Sequence, residues 1–218
     1  MTFASTAQGL VVALSGGIGG AKLALGLSRI LPAEELMIVA NTGDDFRHLG
    51  LSISPDLDTL TYTLADINNP ETGWGRRNET WTFMAALREL GGEAWFQLGD
   101  GDLAIHVERT RRLATGETLS QVTEDFCRRL GVRAKLVPMS DDPVRTRLRT
   151  QEGWLDFQDY FVRQRCQPVP GIQITVAKTC EKASKTRDSA QQESPPGPGF
   201  PRFKRELFQP KVQDSNCY

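Results

Sequence analysis

The sequence predicts an α/β fold, a mainly parallel sheet with flanking helices and a small antiparallel excursion. Three observations predict it. An apolar strand pattern at Leu10 to Leu14 runs into Gly16, Gly17, Gly19 and Gly20 and then into a helical run. A second apolar run ends at Asn41, and helical and extended patterns go on alternating as far as Pro138.

The elements follow in order. Leu10 to Leu14 reads as a buried strand, Ala21 to Ile30 has the apolar spacing of a helix, and Glu35 to Ala40 reads as a second strand. Open parallel sheets bind ligands beyond the carboxyl ends of their strands, so the glycine loop and the Asn41–Phe46 loop are expected on one edge. Leu57 to Ile67 reads as a helix, with Pro55, Asp56 and Asp58 as ordinary helix-start chemistry. Glu79 to Leu90 reads as a helix stopped at Gly91, Ala94 to Leu98 as a short strand, Leu119 to Leu130 as a helix ended by Gly131, and Ala134 to Pro138 as a strand. Val144 to Leu155 alternates polar and apolar residues and turns near Gly153, a hairpin signal.

The glycine loop fits neither common nucleotide fingerprint. Gly17 and Gly19 match the first two positions of G-x-G-x-x-G, but Lys22 stands at the third. A P-loop is excluded because Gly20-Ala-Lys-Leu replaces the Gly-Lys-Ser/Thr ending. What remains is a helix start able to cradle an anion with backbone N–H groups, or a turn that lets strand and helix pack closely. The aspartates Asp44, Asp45, Asp56 and Asp58 offer hard oxygen ligands, and a phosphate cradle beside grouped carboxylates calls for a divalent cation. Read from the residues alone, Asp56 and Asp58 serve equally as a helix start. On a helix His106 lies one turn from Asp102, which orients it or simply satisfies it. Arg109, Arg76 and Arg77 are candidate phosphate clamps or ordinary surface pairs. Trp74, Trp81 and Trp95 are candidate stacking surfaces or core anchors.

Composition excludes several classes. The 218 residues carry a net charge of −1 with 39% hydrophobic residues, which argues for a folded domain and against broad nucleic-acid or membrane-surface binding. Cys127, Cys166, Cys180 and Cys217 form no C-x-x-C spacing, so free thiols and a reducing compartment are expected. The apolar run at Leu10 is too short to span a bilayer and no leader is evident, which makes the cytoplasm the expected location. Residues 1–170 are read as the core. Residues 171–218 turn Pro/Gly-rich and basic around Ser194-Pro-Pro-Gly-Pro-Gly, and are expected to be a largely irregular, disordered tail.

Several strings occur together and in order: Ser15-Gly-Gly-Ile-Gly-Gly-Ala-Lys-Leu, Asn41-Thr-Gly-Asp-Asp-Phe, Gly50-Leu-Ser-Ile-Ser-Pro-Asp-Leu-Asp-Thr, Trp74-Gly-Arg-Arg-Asn-Glu-Thr-Trp and Trp95-Phe-Gln-Leu-Gly-Asp-Gly-Asp-Leu-Ala. They continue through His106-Val-Glu-Arg-Thr and Pro138-Met-Ser-Asp-Asp-Pro-Val to Phe157-Gln-Asp-Tyr-Phe-Val. Taken together, the set resembles the 2-phospho-L-lactate transferase family of coenzyme F420 biosynthesis. The resemblance implies a Rossmann-like core, a homodimer, Mg2+ as cofactor, and transfer of a phospholactyl or phosphoenolpyruvyl group from a guanylyl diphosphate-type donor to the deazaflavin Fo, with release of GMP.

Carried onto these positions, it implies that Asp44, Asp45, Asp56 and Asp58 hold the metal, with Asp45 and Asp58 also catalytic. It implies further that Gly16, Gly17, Gly19, Gly20, Lys22, Asn41, Thr42, His106 and Arg109 bind substrate. The motif series stops before residue 171, where the family continues with further βα units. The expectation is therefore a truncated chain, and the alternative function is a catalytically deficient Fo- or phosphate-binding protein of the same fold.

Overall fold

The computed structural model describes residues 9–151, 153–168 and 173–178, with side chains described as far as Thr175 in the last stretch. A parallel three-stranded sheet forms from β1 (Val11–Ser15), β2 (Leu36–Ala40) and β5 (Lys135–Pro138), in the order β1-β2-β5. Its register aligns Ala13 with Ile38 and Ile38 with Leu136, so these three share one face. That face packs on α1 (Gly17–Ile30), α2 (Pro55–Leu64) and α5 (Leu119–Arg129), burying Ala21, Ala24, Leu57, Leu60 and Cys127 in one core. Both strand-to-helix parallel connections place helices between strands, as a parallel sheet requires.

The expected buried first strand is only half buried. Ala13 and Ser15 turn into the core, whereas Val12 is 50% and Leu14 79% exposed. The reason is position: β1 is an edge of the sheet, and among the described residues no helix covers its outer face.

A second, smaller core gathers around a hairpin that the sequence pattern does not predict. The strands β3 (Phe46–His48) and β4 (Leu51–Ile53) pair antiparallel across Leu49 and Gly50, both left-handed at φ 51° and 77°. Phe46 and Ile53 pack there with Met84 of α3 (Thr82–Glu89) and with Leu98. Ala94 to Leu98 is irregular rather than a strand. Its rings are spent on packing instead, with Phe96 edge-on to Phe46 at 4.9 Å and Trp95 edge-on to His48 at 5.0 Å. The helix α4 (Asp100–Ala114) follows directly and carries His106 and Arg109 on its buried side.

The antiparallel excursion is a separate sheet, β7 (Gly153–Asp156), β6 (Val144–Thr150) and β8 (Gln173–Lys178), in the order β7-β6-β8. Strand β8 lies inside the span expected to be an irregular tail. The sequence Gln173-Ile-Thr-Val alternates in the strand period, and Ile174 pairs with Leu148 of β6. The remainder of that expected tail lies outside the described residues.

Candidate active site

The parallel register sets the site. Ser15 and Ala40 are paired at the ends of β1 and β2, so the glycine loop and the Asn41 loop leave the sheet side by side, joined by Asn41 N–H donating to the Ser15 carbonyl at 2.9 Å. Ser54 and Pro55 then start α2 against them and bring Asp56 and Asp58 into buried positions.

Asp56 closes the glycine loop. Its Oδ1 accepts the Gly17 N–H at 2.6 Å, and its Oδ2 accepts Asn41 Nδ2 at 2.8 Å. The same amide nitrogen donates to Asp44 Oδ2 at 3.2 Å, while Asn41 Oδ1 accepts the Gly43 N–H at 2.9 Å. A side chain at Gly16 would meet Asp56 Oδ2 at 3.0 Å and Asn41 Cβ at 3.3 Å, which explains the glycine there. Gly17 is left-handed at φ 61°. Burial first, and then the neighbouring Asp56, push the Asp44 carboxyl above its usual range. Asp44 and Asp56 are thus two hard-oxygen groups held on one amide, with a mutual repulsion that a divalent cation relieves.

Asp58 belongs to a different arrangement. Its two oxygens receive the Arg109 guanidinium as a fork, through Nη1 at 3.1 Å and through Nη2. His106 Nδ1 lies 3.3 Å from Arg109 Nη1 and 3.7 Å from Asp58 Oδ2; because a guanidinium only donates, the first contact is a hydrogen bond in the tautomer that carries its proton on Nε2. That nitrogen faces Asp102 Oδ2 at 3.3 Å, close enough for electrostatic attraction although it is not aligned as a regular hydrogen bond. Asp102 also accepts from the Tyr62 hydroxyl. Burial works against the Asp102 charge, yet His106 and Tyr62 hold it below the usual carboxylate range. Ligand atoms of Asp58, Asp102 and His106 lie within 4.8 Å of one another. Arg109 occupies both Asp58 oxygens and approaches His106 Nδ1, so Asp58 is committed to a buried ion pair, while His106 Nε2 has no hydrogen-bond partner among the described residues.

These groups wall a cavity of about 650 Å3. Its lining includes the Asn41-centred group of Gly16, Gly17, Asp44 and Asp56, the group of Asp58, Tyr62, Asp102 and His106, and the flat apolar surface of Trp74, Trp95, Phe96, Phe157 and Phe161. Six of the expected site residues are placed elsewhere. Gly19 and Gly20 lie within α1, where Gly20 meets Ser15 in close packing. Lys22 is exposed on α1. Thr42 is buried behind the loop, Arg109 lies beneath Asp58, and neither lines the cavity. Asp45 is turned away to accept Ser54 Oγ at 2.8 Å, its other oxygen has no partner among the described residues, and burial pushes its carboxyl up to about 7. The candidate clamps are also spent: Arg76 donates to the Gly101 carbonyl at 3.1 Å, and Arg77 pairs with Asp66 at 3.2 Å.

Residues 11–192 match the family model described as 2-phospho-L-lactate transferase CofD. The chain belongs to the CofD family. A CofD-type relative named "Phosphoenolpyruvate transferase" from Kitasatospora aureofaciens is 46% identical over 189 residues, covering 77% of this chain and 59% of that protein. The "2-phospho-L-lactate transferase" of Methanosarcina mazei is 38% identical over 184 residues, covering 84% of this chain and 61% of its own length. This CofD chain therefore spans only half to three-fifths of the curated relatives it matches. A solved Bacillus halodurans protein overlays 77% of the chain and 51% of its own, with a TM-score of 0.46 at 17% identity.

The CofD cavity also contains residues to which the sequence reading gave no role. Tyr62 was hidden inside an ordinary helical pattern. Phe157, Gln158 and Phe161 sit in a quoted motif, and only the folding of β6 and β7 back onto the Asn41 loop gives them a wall to form.

Proposed function

We propose that this chain carries the acceptor site of a transferase of coenzyme F420 biosynthesis. It moves a phospholactyl or phosphoenolpyruvyl group from a guanylyl diphosphate-type donor to Fo and releases GMP. The observation that carries this reading is the cavity itself, lined both by flat aromatic side chains and by the Asn41-bridged Asp44–Asp56 pair. A tricyclic deazaflavin matches the first, and a phosphate-bearing partner needs the second.

In the reaction the terminal ribityl hydroxyl of Fo attacks the phosphorus that bears the three-carbon acid. The new P–O bond forms as the bond to GMP breaks, and the hydroxyl proton passes to a carboxylate of the cavity wall. Positioning and charge neutralisation dominate such a displacement. Asp44 and Asp56 would hold Mg2+, which when bound supplies positive charge against the donor phosphate oxygens. Asp56 already caps the start of α1, so a phosphate reaches the glycine loop only with such a cation beside it. Asp58 and Arg109 hold His106 and Asp102 in place as a rigid wall, and Asp45 supports the loop from behind.

The test uses the full 218-residue chain with Fo, the donor and Mg2+. Fo fluorescence reports binding and mass spectrometry the product. Binding together with product supports the transferase. Binding without product replaces it with the catalytically deficient Fo-binding reading, and no Fo binding removes both.

A further inference from the structure

Part of the cavity wall rests on a residue that does not line the cavity. Trp95 and Phe96 line it, yet the run that carries them forms no ladder with any strand among the described residues. Side chains behind the two rings set their angle instead. His48 is the polar member of that group: its ring stands edge-on to Trp95 at 5.0 Å and to Phe96 at 5.9 Å. Phe46 completes the cluster, 4.9 Å from Phe96 and 6.0 Å from Trp95.

The strand period turns Phe46 and His48 inward and Arg47 out to solvent. The hairpin that carries them is clamped to α4: Ser52 N–H donates to Thr110 Oγ1 at 2.7 Å, and the Ser52 carbonyl accepts Arg109 Nη1 at 3.3 Å. His48 therefore presents its ring from a fixed backbone. It is 3% exposed, and its Nε2 is buried with no hydrogen-bond partner among the described residues, so its contacts are those of packing. Burial lowers its pKa, and the charge of Glu93, exposed just before the aromatic run, works against that. Phe46, Trp95, Phe96 and the paired Leu51 bring no charge to it.

We infer that His48 is the positioning residue of the aromatic wall, holding Trp95 and Phe96 at the angle at which they receive a flat ring. That the ring is Fo rests on the function proposed above; the hold on Trp95 does not. A neutral imidazole suits a place among rings, whereas an imidazolium there lacks the hydration it has in solution, so acid works against the wall.

The experiment uses the full chain labelled with 5-fluorotryptophan, in which the Trp95 fluorine signal is the one lost in Trp95→Phe. His48→Leu removes the ring and keeps apolar bulk; His48→Phe keeps a ring and removes the titrating nitrogens; circular dichroism checks both. At pH 7, His48→Leu is expected to move the Trp95 signal and weaken Fo binding by about tenfold, and His48→Phe to restore Fo affinity to within about twofold of wild type. From pH 7 to about pH 5, Fo affinity is expected to fall by about threefold more in wild type than in His48→Phe. Fo affinity within about twofold of wild type in a folded His48→Leu chain overturns the inference, as does an equal loss in His48→Phe. If His48→Leu does not fold, the pH comparison decides, and equal profiles overturn it. A wild-type chain that does not bind Fo removes the acceptor reading and leaves His48 to the fluorine signal: moved in His48→Leu and restored in His48→Phe upholds the inference, and unmoved overturns it.

Discussion

Arg109 and Asp58 are 51 residues apart in sequence and meet as a buried fork, with Arg109 3% and Asp58 6% exposed. The pair holds α4 against the start of α2, and through Nη1 it also fixes the His106 ring. A carboxylate used in this way is structural before it is anything else.

Asp58→Asn is accordingly expected to destabilise the fold by about 3–5 kcal/mol, because it leaves the Arg109 charge buried without its counter-ion. Urea denaturation checks this. A loss below about 1 kcal/mol, coupled to loss of divalent-cation binding, would return Asp58 to the metal site.

Asp45 gives the chain a specific pH response. Its carboxyl is raised to about 7 by burial, so between the ordinary carboxylate range and pH 7 the folded state binds the proton more tightly than the unfolded state. Its contribution to stability is fully present below pH 4 or so and is lost as pH rises through about 7. Asp45→Asn keeps an oxygen for Ser54 and removes the titration. Melting curves of the two proteins are expected to diverge between about pH 4 and about pH 7 in favour of the variant, at up to about 1.4 kcal/mol per pH unit, and to run parallel above that. Curves parallel throughout would mean that the carboxyl is not held protonated.

Two adjacent glycines should behave oppositely. A Cβ at Gly20 would lie 2.4 Å from Ser15 Oγ and 3.3 Å from Ser15 Cα, whereas nothing lies within 4 Å of one at Gly19. Gly20→Ala is expected to cost about 1–3 kcal/mol by overpacking, and Gly19→Ala to gain a few tenths up to about 1 kcal/mol from helix propensity. Thermal denaturation of both variants decides; equal effects would contradict the close packing of α1 on β1.

Asn41→Ala removes the amide shared by Asp44 and Asp56. If these carboxylates hold the cation, Mn2+ affinity measured by calorimetry should fall by about tenfold, since supporting hydrogen bonds orient ligand oxygens. Unchanged Mn2+ binding would separate Asn41 from any metal role.

Much of the site was legible because its first half is local. A strand, a glycine loop, a helix and a second strand force Gly16 and Asn41 to one sheet edge, and Pro55 fixes where Asp56 starts α2. What sequence could not give was the partner of each charge. Four neighbouring aspartates look alike in a string, yet Asp44 and Asp56 share an amide, Asp45 turns to Ser54, and Asp58 is claimed by an arginine two helices away. The β3–β4 hairpin was missed because its strands are only three residues long and its turn carries Leu49 at positive φ. In the Ala94–Leu98 run the apolar residues are real, but the ring cluster around Phe46 uses them in place of a ladder.

The order of strands in the parallel sheet also sets an order in time. β1 and β2 pair across a single helix, but Ile38 meets Leu136 only after about a hundred intervening residues have been made, and closing so long a loop comes late. The Asp44–Asn41–Asp56 cluster is carried by the loop and helix that follow that unit, well before β5, while Phe157 and Phe161 come after β5 in the chain. During synthesis, then, the chain that carries the acidic pair and the first aromatic residues, Trp74, Trp95 and Phe96, is made before Phe157 and Phe161, which complete the cavity last.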